Sequence, residues 1–175
     1  MKKKKSKNDY IDNKVFYQAM TEWKKQVKDA EDADEPQPPV TDYIGQCFLD
    51  IATHLSYRPN FINYPYREEM ISDGIENCVM YASNFDPEKS KNPFSYFTQI
   101  IYYAFLRRIQ KEKKQAYVKY KMTMENDTTG DFSKWFKNYF DGDRDPYKEL
   151  FSISESDISK FEKGNKKDNE DCDTE

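Results

Sequence analysis

The stretch NPFSYFTQIIYYAFLRRIQKEKKQAYVKYK, residues 92–121, decides how this chain is read. It opens on Asn92 and Pro93, residue types that start helices. An asparagine side chain accepts from the first unpartnered backbone N–H groups, and proline at the first helical position gives up an N–H that would have no partner. No Gly or Pro follows within the stretch, so the pattern predicts one helix of up to about 43 Å at 1.5 Å per residue. Phe94, Phe97, Ile101, Ala104, Phe105 and Ile109 recur at the three-and-four spacing of a stripe that faces a core. Tyr96, Gln99, Ile100, Tyr103 and Arg107 fall on another side, where burial does not account for them. Residues 102–121 carry a net charge of +6, from Arg107, Arg108, Lys111, Lys113, Lys114, Lys119 and Lys121 against Glu112. Rings beside a basic track suit unpaired nucleic acid, because bases stack on rings while Lys and Arg follow the phosphates. The same pattern fits a core stripe backed by a solvated charged face, and periodicity leaves both readings open.

The remaining composition narrows the choice. A chain of 175 residues can bury one core with appendages. Charged residues make up 34% and aromatics 16%, so aromatic side chains must supply much of the packing. Only 5 glycines argue against Gly-rich phosphate loops and β-turn networks. The formal charge of −4 hides a segregation: residues 1–29 carry +5, 30–39 carry −4, 40–101 carry −4 and 122–175 carry −7, flanking the basic helix. An acidic chain with one basic helix can engage nucleic acid locally while resisting adsorption elsewhere. Cys47, Cys78 and Cys172 are odd in number and lack ligand spacing, so reduced thiols in the cytoplasm are expected. Asn8, Asp9 and Asp12 follow the basic residues 2–7 where a secretory signal would be apolar, and no apolar run approaches membrane-spanning length. No membrane partner is expected.

In chain order, residues 1–12 read as a basic flexible N-terminus. Helix one is predicted over residues 13–28, capped by Asp12, with Val15, Phe16, Ala19, Met20, Trp23 and Val27 inward. Residues 30–40 form an acidic, proline-bearing linker that cannot continue a helix. Helix two starts at Thr41 or Asp42 and turns Ile44, Phe48, Ile51, Ala52 and Leu55 inward; residues 58–65 form a loop. Helix three spans residues 66–84, with Met70, Ile71, Ile75, Cys78, Val79 and Ala82 inward. The short join to the opening helix implies that these two pack closely. Residues 122–130 read as a loop. Residues 131–140, DFSKWFKNYF, read as an amphipathic helix with Phe132, Trp135, Phe136, Tyr139 and Phe140 on one side. Tyr147, Leu150, Phe151, Ile153, Ile158 and Phe161 suggest further short helices, and residues 164–175 an acidic disordered tail. With no strand-like alternation, the expected fold is all-α: a helical bundle over residues 13–121 with a less ordered helical extension over 122–163. His54, the one histidine, sits beside the Ile51/Leu55 stripe and reads as a structural or exposed residue rather than a general base. No nucleophile elbow, phosphate loop or metal-ligand cluster is present in the pattern, so neither an enzyme nor a cofactor is expected.

The segment EEMISDGI (residues 68–75), then Asn84-Phe85-Asp86, then SYFTQIIYYAFLRRI (residues 95–109) resembles the second region of bacterial sigma factors, which binds core RNA polymerase and opens the promoter −10 element. Residues 70–109 lie against the housekeeping pattern without a gap. Gly74, Phe85, Asp86, Tyr96, Thr98, Ile101, Ala104, Arg107 and Ile109 coincide, while the third region and the −35-reading helix-turn-helix have no counterpart. The chain is more similar to the small late-transcription sigma factors of T-even-type phages. That likeness extends upstream through NKVFYQAMTEW, Asp42-Tyr43-Ile44-Gly45 and the NFDPEKSKNPFSYFTQ join, about two-thirds of the chain.

The resemblance implies an all-α domain and particular roles. Glu69, Met70, Ser72, Asp73, Gly74 and Asn77 match the helix that meets the clamp coiled coil of the largest polymerase subunit in the infected host. There Glu69 and Asp73 would pair with arginines, Met70 would fill an apolar gap, and Gly74 would admit a close helix, or else would serve packing inside this chain. Tyr96 matches the aromatic against which the flipped adenine of the non-template strand lies. Gln99 and Ile100 stand where the family has tryptophans, so Phe97, Tyr102 and Tyr103 are the alternative ring surface. Arg107, Arg108, Lys111 and Lys114 would hold phosphates. Tyr103 and Leu106 stand where duplex-reading polar residues usually stand, which implies a different upstream readout. Late factors of this type also dock on a phage sliding clamp, with a late coactivator, through a hydrophobic C-terminal motif. The ending NEDCDTE lacks that motif. Trp135 and Phe136, or Leu150 and Phe151, are the substitute docking residues, unless they fold back on the helices. The rival readings are a polymerase-binding modulator without promoter recognition, which would not need the basic track, and a helical structural or interaction protein.

Overall fold

The computed structural model describes residues 10–139 and 145–170, and every described element is a helix. The chain divides into two units, Met1–Arg108 and Ile109–Glu175.

In the first unit, α1 (Asn13–Asp32) is capped by Asp12, whose carboxylate accepts from the Lys14 N–H at 3.0 Å and the Val15 N–H at 3.5 Å. Thr41 caps α2 (Asp42–Ser56) in the same way, accepting from Ile44 N–H. α3 (Arg67–Tyr81) lacks a side-chain cap, so Glu68 and Glu69 in its first turn face the positive end of its dipole. A single 3₁₀ turn, Ala82–Asn84, ends it. α4 (Pro93–Asn126) begins on Asn92, whose side-chain oxygen accepts from Ser95 N–H at 3.1 Å.

Four apolar faces meet. Phe16 of α1, Phe48 of α2 and Phe97 of α4 form a ring triangle with centroid separations of 6.2, 5.7 and 4.5 Å. Ile101, Ala104 and Phe105 continue the α4 stripe inward. Burying each large side chain contributes about 1.5–3 kcal/mol. The polar side of α1 ties down the α3–α4 join: the Tyr17 hydroxyl donates to Pro87 O at 3.0 Å and the Lys24 ammonium to Ser83 O at 2.6 Å. The start of α4, which carries Tyr96, is thereby held.

The second unit has a core of its own. Tyr117 and Tyr120, three apart on α4 and so on one face, are buried with Tyr147, Ile153 and Ile158, while Phe132, Phe151 and Phe161 pack around them. The partners of Tyr117 and Tyr120 come from α5 (Asp131–Tyr139), α6 (Pro146–Phe151), α7 (Glu155–Glu170) and, for Ile153, the turn between α6 and α7. Lys113 reaches Asp157 at 2.9 Å and Lys121 reaches Glu162 at 3.2 Å.

Several expectations are corrected. α1 runs through Ala30, Glu31 and Asp32, because the break comes only at Asp34, with φ 56°, ahead of Pro36. The linker behind it is pinned, with Trp23 Nε1 donating to Pro39 O at 3.0 Å. Val15 and Val79 are exposed and Ile75 half-buried, each one residue round the helix from a buried neighbour. Helix α4 continues to Asn126, and the loop before Gly130 is short, since nothing in residues 122–126 breaks a helix. α7 carries helix through residue 170, where a disordered tail was expected; Gly164 costs about 1 kcal/mol against Ala without ending a helix. Tyr10 is ordered against His54, rings parallel at 3.8 Å, so the N-terminal segment expected to be flexible is held from there onward. Residues 1–9, 140–144 and 171–175 lie outside the described residues, and with them the expected inward Phe140 and the end of the tail. No helix among the described residues is long and apolar enough to cross a membrane.

Candidate polymerase and nucleic-acid interface

α3 presents one exposed line. Glu69, Ser72, Glu76 and Met80 recur at three-and-four spacing on its outer side, and Met80 is 63% exposed with Val79 beside it. Two carboxylates followed by an apolar tip suit a partner helix that carries arginines and a hydrophobic patch. Glu76 and Met80 were not singled out from the sequence, although the spacing from Glu69 was there to extend, and Val79 was expected inward.

The other residues expected to meet a partner on α3 do different work. Met70 is 0% exposed and fills this chain's own core, which corrects its expected role in an intermolecular gap. Gly74 is buried: a Cβ there would lie 3.0 Å from Ile101 Cγ2 and 3.2 Å from Phe105 Cε1. Its smallness serves the approach of α4 to α3, the internal alternative. Asp73 takes two hydrogen bonds from Arg108, Nε to Oδ2 and Nη2 to Oδ1, both 2.6 Å. Asn77 donates to Asp73 O at 2.7 Å and accepts from Arg107 Nη2 at 2.7 Å. Arg107 and Arg108, expected on phosphates, therefore hold α4 in register on α3.

The outer side of α4 has two flanks. On the α3 flank, Tyr96, Ile100, Tyr103 and Arg107 fall within an arc of about 60° at 3.6 residues per turn. Tyr96 is half-buried, its ring 5.3 Å from Phe85 and 5.0 Å from Phe97. Partial burial, and secondarily the Cys78 thiol, push its phenol above the ordinary value, so it is a neutral ring at physiological pH. Phe85 is itself fixed by the turn behind it, where Asp86 accepts from Glu88 N–H at 2.9 Å; that bond, with Lys89 nearby, holds the carboxyl below its usual range. Tyr103 is 51% exposed.

Beside that arc, with Tyr103 bordering both, lies an open groove of about 460 Å³ lined by Leu55, Arg58, Phe94, Ser95, Thr98, Gln99, Tyr102 and Tyr103. Phe61 packs edge-on to Tyr102 at 5.6 Å and to Phe105 at 5.2 Å. Phe97, offered as a substitute ring surface, is wholly buried and cannot serve. Arg58 was missed by sequence reasoning, since it carries no local signal and reaches α4 only because Phe61 folds the α2–α3 loop onto it.

In the second unit, Lys111 and Lys114 are exposed on α4. Trp135 is 52% and Leu150 54% exposed, whereas Phe136 is buried and Phe151 half-buried. The expected docking residues thus divide, two outward and two into the unit itself. Among the described residues no cluster of His, Cys, Asp and Glu could hold a metal ion. No protein-family model matches this chain, and no curated protein sequence matches it.

Proposed function

We propose that this chain is a promoter-specificity factor of the phage late sigma type. It binds the host's core RNA polymerase through α3 and directs initiation at promoters with a TATA-like −10 element by capturing melted non-template bases on α4. It performs no catalysis itself and acts in the cytoplasm of the infected host. The observation that carries this reading is the side-by-side placement of an outward acidic line on α3 and outward tyrosines on α4, locked by Asp73–Arg108 and Asn77–Arg107. The clamp coiled coil of the largest polymerase subunit fits the Glu69/Glu76/Met80 line. Stacking one base on an aromatic is worth about 1–3 kcal/mol, enough to bias melting at an A·T-rich site while the polymerase supplies the rest. Exposed Trp135 and Leu150 are the residues left for a sliding clamp or coactivator.

A polymerase-binding modulator without promoter recognition is the second reading. It is favoured by one observation: Arg108 is neutralised by Asp73, which shortens the cationic track. Run-off transcription with core polymerase separates the two. Glu69→Lys with Glu76→Lys is expected to abolish co-purification with core polymerase in a folded protein. Tyr96→Ala is expected to leave co-purification intact and to lower open-complex formation about 5- to 160-fold. Unchanged co-purification of the charge-reversed protein sinks the sigma reading. Unchanged permanganate reactivity with Tyr96→Ala moves the assignment to the modulator.

A further inference from the structure

The groove beside the Tyr96 arc of α4 has a chemistry that the arc itself lacks. Of the four arginines among the described residues, Arg67 lies over the Tyr57 ring, Arg107 on Asn77 and Arg108 on Asp73. Arg58, at the mouth of the groove, pairs with no carboxylate among the described residues. The Gln99 amide, exposed on the same wall, likewise has no hydrogen-bond partner among the described residues. The Thr98 hydroxyl spends its proton on Phe94 O at 2.6 Å and is left as an acceptor. The walls thus combine rings, an amide offering donor and acceptor together, and one uncompensated cation. A volume of about 460 Å³ falls in the range of clefts that hold small ligands.

We propose that this groove is a second single-strand subsite that holds one unpaired adenine, its ring against Tyr102, its edge read by Gln99, and its phosphate on Arg58. This rests on the reading that α4 binds a melted strand. An amide presents the donor–acceptor pair that matches adenine, and a guanidinium suits phosphate. Tyr103 belongs both to the Tyr96 arc and to the groove wall, so two bases of one strand would lie side by side along the outer side of α4, and Gln99 works where the family's aromatic wedge is missing.

The test uses nitrogen-15-labelled full-length protein titrated with single-stranded oligo(dA) and oligo(dC) of about twelve nucleotides, and separately with deoxyadenosine monophosphate. Oligo(dA) is expected to shift the amides of Arg58, Ser95, Thr98, Gln99 and Tyr102. Arg58→Ala and Gln99→Ala, both exposed and fold-neutral, are expected to weaken it about tenfold, while Tyr96→Ala leaves the groove shifts in place. Equal binding of oligo(dC) overturns the adenine assignment. Mononucleotide binding as tight as the strand makes this a free-nucleotide site and overturns the strand subsite. Strand binding that Arg58→Ala and Gln99→Ala leave untouched, or no groove shift at all, overturns the subsite. The transcription assay with Glu69, Glu76 and Tyr96 variants still decides the sigma reading separately.

Discussion

Arg108 holds Asp73 through a two-pronged contact, with both N–H donors at 2.6 Å from the two carboxylate oxygens, across 35 residues of sequence. Both side chains are only partly exposed, 18% for Arg108 and 26% for Asp73. The pair is therefore a helix-to-helix bolt rather than two separate binding residues, and it sits between the acidic line of α3 and the tyrosines of α4.

A double-mutant cycle measures that bolt. Fixed fork geometry and partial desolvation place the coupling of Asp73→Ala with Arg108→Ala at about 1–2 kcal/mol, above the median exposed pair. Urea denaturation of the four proteins reads it. A coupling near zero would mean that α3 and α4 are held together by apolar contacts alone.

Gly74 gives a second test of the same interface. Alanine would gain about 1 kcal/mol in helix propensity. Its methyl would press on Ile101 and Phe105, both 0% exposed, and overpacking of a filled core costs about 1–3 kcal/mol. Gly74→Ala is expected to lower stability by about 1 kcal/mol and Gly74→Val by more, read as a lower urea midpoint. A midpoint that rises with alanine would place the helix gain above the steric cost and leave Gly74 without a packing role.

Acid should loosen the second unit. Burial alone would raise the Asp157 carboxyl, but the Ser154 hydroxyl and the Lys113 ammonium outweigh it and hold it below the ordinary range. The Tyr147 hydroxyl, donating to Asp127, likewise lowers that carboxyl. With folded values below unfolded ones, the ionised forms stabilise the fold in full above about pH 4 to 5, and the gain disappears as pH falls through the folded values. Urea midpoints followed by tryptophan fluorescence at about pH 7, 5 and 3 are expected to drop at the acid end. Lys113→Ala and Tyr147→Phe should start lower and fall less. Variants whose curves run parallel to the wild type would locate the acid-sensitive groups elsewhere.

Much of the first unit was legible in the chain. Asp12, Thr41 and Asn92 cap where capping chemistry says they should, and Phe97, Ile101 and Phe105 are buried as their spacing implies. The stripes erred at their margins, with Val15 and Val79 outside, because periodicity fixes the direction of a face and only the neighbouring helix fixes its width. In the second unit Tyr117 and Tyr120 were hidden among lysines that drew the reading toward phosphate, though they build a core.

By itself the amino-acid sequence determined where the helices of the first unit begin, the direction in which their apolar faces turn, and that the long helix carries outward tyrosines; caps and periodicity act between residues a few positions apart. The tertiary structure alone decided that Gly74 serves the approach of α4 to α3, that Arg107 and Arg108 are spent on α3, and that Arg58 stands beside Tyr102. A charge is free or engaged according to which distant group the fold brings within about 3 Å of it, and no local pattern carries that distance.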